Sequence, residues 1–114
     1  MDKAAAKNEY KQAKRPMGVY RIRNTRNDKS YIGSATDLPA KINRHKAELK
    51  FGSHRNRELQ KEWNLFGELC FQFEVLDELD HKKDSPSNPV EELHVLKEMW
   101  MRKLEKEGHL LVSL

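Results

Sequence analysis

The sequence predicts a small α+β domain in which a three-stranded antiparallel sheet is flanked by helices, in the order ββααβα. Three observations lead there. Two strand-like segments rich in β-branched and aromatic residues sit either side of a run of turn formers, two capped helical patterns follow, and a strand with alternating phenylalanines precedes a long amphipathic helix. A chain of 114 residues is the size of one domain, large enough for one modest core.

Each element has its own justification. Residues 1–15 are rich in Ala, Lys, Gln and Glu, so a basic helical or flexible arm is expected, ended by Pro16. "MGVYRIR" (17–23) reads as a strand, "NTRND" (24–28) as a turn and "KSYIGSA" (29–35) as a second strand, making a hairpin. Arg21 and Arg23 are expected to lie exposed along one edge of it, beside Arg26 and Lys29 of the turn. Asp37 can cap a helix carrying Leu38, Ile42 and Leu49, with Gly52 as its stop. Ser53 can cap a second, carrying Leu59, Trp63 and Phe66 and stopped by Gly67. "LCFQFEVL" (69–76) places Phe71, Phe73 and Val75 on one face of a third strand, and the polar stretch "DHKKDSPSNP" (80–89) is the longest loop. Asn88 and Pro89 then open a helix to about Gly108, with Leu93, Leu96, Trp100 and Leu104 as its buried stripe. The domain is thus expected over 16–108, with 109–114 as a carboxy-terminal tail.

Composition narrows the partners. With 22 Lys plus Arg against 18 Asp plus Glu, the chain carries a net charge of +4, which favours an acidic partner such as nucleic acid. The single cysteine, Cys70, excludes an internal disulfide framework and suits a reducing compartment. No apolar run approaches the roughly 18 residues of a membrane span and no signal peptide is evident, so a cytoplasmic location without membrane partners is expected.

The tripeptides "GVY" (18–20) and "YIG" (31–33), the spacing from Tyr20 to Tyr31, the "GSATDL" step into a helix, His45 within that helix and "GSHRN" opening the next all resemble the GIY-YIG nuclease family. The resemblance extends from about Met17 to Leu104. It implies an endonuclease that hydrolyses DNA phosphodiesters with Mg or Mn. It also implies catalytic roles for Tyr20 as general base, Tyr31 as its partner at the phosphate, His45 as a catalytic or phosphate-contacting group, and Lys41. Because a free tyrosine has a pKa of about 10, adjacent cations or the metal would have to push Tyr20 toward phenolate. Gly18 and Gly33 match positions where the backbone must be approached closely. His54 fits a weaker family preference, while a surface or helix-capping place suits the residue itself.

Two positions depart from the family pattern. Lys41 stands where a phosphate-gripping arginine is usual, keeping the charge and losing the planar fork. Lys97 stands where the metal-binding glutamate is usual, on the inward face with Leu93, Trp100 and Leu104. Glu98, about 100° further round the helix, is the substitute metal ligand, although a solvated face suits it better. The asparagine that often follows the last helix is also missing from "EGHLLVSL". An alternative is therefore a module that grips nucleic acid through Arg21, Arg23, Arg44, Lys46, His54, Arg55, Arg57 and Lys97 without efficient cleavage, and a scaffold role ranks last.

Overall fold

Asn24 and Asn27 build the first turn by accepting the backbone N–H groups of Arg26 and Lys29 on their side-chain oxygens, while Asp28 takes the left-handed φ of 61° that closes it. In this computed structural model, which describes residues 16–80, 86 and 88–114, that turn joins β1 (Met17–Asn24) to β2 (Lys29–Ala35). The two strands pair antiparallel with Tyr20 opposite Gly33 and Ile22 opposite Tyr31. The arm expected over 1–15 and positions 81–85 and 87 of the expected loop lie outside the described residues.

Helix α1 (Leu38–Phe51) begins at Asp37, whose carboxylate accepts the Ala40 N–H, and ends at Gly52 with φ 76°. Helix α2 (Arg57–Phe66) is capped by Asn56, not by Ser53: the Asn56 side chain accepts the Leu59 N–H at 3.0 Å, whereas the Ser53 N–H closes α1 on Glu48 O. A short 3₁₀ turn over Glu68–Cys70 delays β3 to Phe71–Leu79. Asn88 caps α3 (Pro89–Lys106) as the Asn-Pro pair predicts.

The sheet has four strands, not three, in the order β3-β1-β2-β4. The segment expected as a tail forms β4 (Leu110–Ser113), which runs parallel to β2 with Tyr31 opposite Val112 and Ile32 opposite Ser113. A return across α3 makes that parallel pairing possible, so the sheet is mixed and the order is ββααβαβ.

Alternation along β1 and β2 divides the core in two. Tyr20, Ile22 and Tyr31 face α1 and α2, packing with Leu38, Leu49, Leu59 and Trp63, while Val19 and Ile32 face α3 and pack on Leu96, Trp100 and Leu104. Leu49 and Leu59, at 1% and 0% exposure, each contribute about 1.5–3 kcal/mol through burial. An extra β3 residue, Leu76, falls between the pairs Tyr20↔Val75 and Val19↔Asp77. This bulge turns Asp77 toward α3, where it accepts the Trp100 indole N–H at 3.1 Å.

Candidate active site

Tyr20 projects from β1 over β2, and its ring lies across Gly33 so closely that a Cβ there would stand 2.4 Å from both Cζ and the phenol oxygen. Glycine at 33 therefore accommodates the tyrosine ring, rather than a helix or a substrate. Gly18 serves another contact: its Cβ would stand 1.9 Å from Asp77 O, where β3 crosses close to β1.

The helical spacing that puts His45 on one stripe with Ile42 and Leu49 turns it toward the sheet, where its Nε2 lies 2.6 Å from the Tyr20 hydroxyl. His45 Nδ1 lies 2.7 Å from Nε2 of His54, the two rings stacked at 4.9 Å. His54 Nδ1 in turn accepts the backbone N–H of Asn56 at 3.0 Å. His54 is thus buried and bonded to the site, a correction to the surface or capping place its sequence suggests. Gln60 fixes the loop that carries it, accepting the His54 N–H and donating to Leu49 O.

Burial alone pushes the Tyr20 phenol well above its ordinary pKa. That reverses the expectation of a phenolate favoured by neighbouring cations: desolvation dominates. His45 is brought down to about 4, chiefly by desolvation and then by the positive fields of His54 and Lys41. His54 is lowered as well, again mainly by burial. Both imidazoles are therefore neutral near pH 7.

This buried row opens on a pocket of about 400 Å³. Helix α1 gives it Lys41 and His45, the α1–α2 loop gives His54, Arg55 and Asn56, and the strand side gives Tyr20, Ser34, Ser113 and Leu114. Among the described residues no carboxylate side chain lines it, and Lys41 and Arg55 give it a cationic field. A shallower hollow next to it runs from Ser34 past Asp37 and Lys41 to Arg44, which pairs with Glu48. A separate hollow of about 420 Å³ between β3 and α3 is mostly apolar and holds no reactive pair.

Other residues named from the sequence lie elsewhere. Tyr31 is fully buried and donates its hydroxyl to Glu62, which also accepts from Asn24 and Asn27 at 2.7 and 3.0 Å. It holds α2 to the hairpin and does not meet Tyr20's pocket. Arg21 is buried on the α3 side of the sheet, because odd positions of β1 face that way, and so is not part of an exposed basic edge. Arg23 pairs with Asp28 at the turn, Arg44 pairs with Glu48, Lys46 lies over the Phe73 ring and Arg57 is exposed at the start of α2. Ser34, Asn56 and β4 were not legible as parts of a site. The local signals were a glycine stop and an asparagine cap bracketing His54, and a short apolar run after Gly108.

Lys97 faces inward as its helical position predicts, and its ammonium group donates to Ser113 Oγ at 2.6 Å and Leu114 O at 2.8 Å, just behind the pocket wall. Burial lowers its pKa, with Glu98 acting the other way. Glu98 itself is exposed and lies 3.3 Å from His94. Among the described residues no three His, Cys, Asp or Glu side chains gather as a metal site, and the two pocket histidines are committed to each other and to Tyr20. An ammonium ion where a carboxylate was expected repels a dication, so these residues do not fit Mg or Mn.

Comparison with known proteins decides the family. The model of the GIY-YIG catalytic domain matches residues 16–85. The chain belongs to the GIY-YIG family. Intron-associated endonuclease 1 of Enterobacteria phage T4 is 39% identical over 67 residues, covering 59% of this chain and 27% of that protein, so the chain spans about a quarter of its relative's length. Two solved structures of the I-TevI catalytic domain share the GIY-YIG fold. The homing endonuclease domain matches with a TM-score of 0.65 and 28% identity over 86% of this chain and 99% of that one. A mutant form matches with a TM-score of 0.63 and 29% identity over 83% and 90%.

Proposed function

We propose that this GIY-YIG domain is an endonuclease domain that hydrolyses phosphodiester bonds of DNA, with the bond seated in the pocket beside Tyr20. The observation that carries this reading is the Tyr20 hydroxyl, held 2.6 Å from His45 at the edge of a cationic pocket of about 400 Å³. Lys41 and Arg55 neutralise the phosphate, and Ser34 and Tyr20 supply hydroxyls to its oxygens. Water forms the new P–O bond as the bond to the leaving oxygen breaks, and the proton the water gives up passes to the departing alkoxide, so the step balances without a net gain or loss of protons. Negative charge building on the phosphoryl oxygens is stabilised by the two protein cations already in place. With phosphate held by Lys41 and Arg55, DNA affinity is expected to fall steeply with added salt.

The test is nicking of supercoiled plasmid by wild type and Tyr20→Phe, each with Mg, with Mn and with chelator. Nicking that the variant loses supports the reading. DNA binding without nicking by wild type at high protein concentration overturns it.

A further inference from the structure

The buried row of imidazoles has a direction, and the backbone sets it. We infer that His54 is a positioning residue that forces His45 to donate to the Tyr20 oxygen, leaving the phenolic proton to be presented to the phosphate in the pocket. The inference deepens the proposed function, since the phosphate is the one named there.

A backbone N–H can only donate, so the 3.0 Å contact from Asn56 makes His54 Nδ1 an acceptor. A neutral His54 then carries its hydrogen on Nε2 and donates it across 2.7 Å to His45 Nδ1. His45, neutral in turn, carries its own hydrogen on Nε2 and donates across 2.6 Å to Tyr20. Each ring is thereby fixed in one tautomer by the bond behind it. The phenol oxygen receives a hydrogen bond from the protein, and among the described residues its own O–H has no acceptor, so the open pocket is where that proton goes. The polarity is the opposite of a tyrosine delivering its proton to a histidine. It makes Tyr20 a donor to a phosphate oxygen, and it also stabilises the phenoxide whenever the proton leaves, because His45 Nε2–H remains in place.

Burial keeps both rings of the row neutral, and the charged groups around it act on that state unequally. Lys41 and Arg44 of α1 disfavour a charged His45, and Lys41 does the same for His54, while Glu48 on the same helix opposes them at both rings.

Nitrogen-15 spectra of the imidazoles in the unliganded, full-length protein at pH 7 read the tautomers directly. The expected result is the Nε2–H form for both His45 and His54. The Nδ1–H form at either ring, or a charged ring, overturns the inference. His54→Ala is expected to let an Nδ1–H signal of His45 appear, and His54→Gln, whose amide can still donate to His45, is expected to suppress it. If both variants leave the His45 pattern unchanged, His54 does not set it and the inference fails. In plasmid nicking, His54→Ala is expected to lower kcat about tenfold with KM nearly unchanged, and His54→Gln to recover most of it. Absence of nicking by wild type would remove the nuclease reading alone, because the tautomer pattern decides the direction of the row without any substrate.

Discussion

Replacing Gly33 by alanine is expected to dislodge Tyr20 while leaving every other contact of the hairpin available. The new Cβ would lie 2.4 Å from the Tyr20 Cζ and phenol oxygen and 2.8 Å from Cε1, against ordinary contact distances beginning at 3.4 Å, so something must shift by about 1 Å. Neither partner can yield freely. Gly33 is in the interior of a strand flanked on both sides, and Tyr20 is 1% exposed, with its oxygen tied to His45. Overpacking of this kind costs about 1–3 kcal/mol, and loss of the phenol–imidazole bond adds about 1 kcal/mol. A loss of about 2–4 kcal/mol lowers the melting temperature of a domain this size by roughly 8–16 °C. The assay is a double-mutant cycle of Gly33→Ala and Tyr20→Ala by denaturant unfolding and thermal melting. Once the ring is gone the alanine is expected to cost no more than about 0.5 kcal/mol. An equal cost in both backgrounds, or wild-type melting of the single variant, would refute the idea that Gly33 exists for the tyrosine ring.

Acid should weaken the fold through His45 before the carboxylates titrate. Its folded pKa of about 4 lies below the unfolded value of 6.5, so below pH 6.5 the unfolded chain binds the extra proton and stability falls, by up to about 1.4 kcal/mol per pH unit, until about pH 4. His45→Gln should flatten that part of the stability–pH curve. Burial raises the pKa of Tyr31, with its bond to Glu62 adding to the rise, so this residue stabilises the fold at neutral pH and its contribution is lost as pH climbs beyond about 10. Tyr31→Phe leaves Glu62 with its two asparagine donors and is expected to cost about 1–3 kcal/mol while leaving the electrostatics of the Tyr20 pocket unchanged, as read by His45 titration. Lys97→Glu brings a carboxylate to the pocket wall and removes two bonds to residues 113 and 114; calorimetric titration with Mn is expected to show binding that wild type lacks. Tight Mn binding by wild type would contradict the argument from the donor set.

How much of this was legible in the sequence depended on how local the cause was. The hairpin, α1 and α3 could be read because Asn24, Asp37, Gly52 and Asn88 act within a few residues of themselves. His45 could be placed because helical spacing sets which way it points. The fourth strand could not, since a short apolar run becomes β4 only by pairing with Lys29–Ile32, about eighty positions earlier in the chain. The bond of Tyr31 to Glu62 lies beyond sequence reading for a similar reason: the glutamate belongs to a helix about thirty residues on, and no spacing rule joins the two. Arg21 shows a limit of charge reasoning, because strand alternation outweighs the usual exposure of arginine and carries it under α3. His54 needed the Asn56 backbone bond, which depends on where the α1–α2 loop is pinned by Gln60.

The position of β1 inside the sheet has a consequence for the motions of the site. With β3 on one side and β2 on the other, the strand carrying Tyr20 can release its amides only when the sheet itself opens, whereas Arg55 sits on a loop and Ser113 on an edge strand. Amide hydrogen exchange should therefore be slowest around Tyr20 and much faster at those two places. The phenol keeps its address while the charges and hydroxyls around it adjust, which under the proposed function lets differently shaped phosphodiester backbones be drawn up to one fixed oxygen.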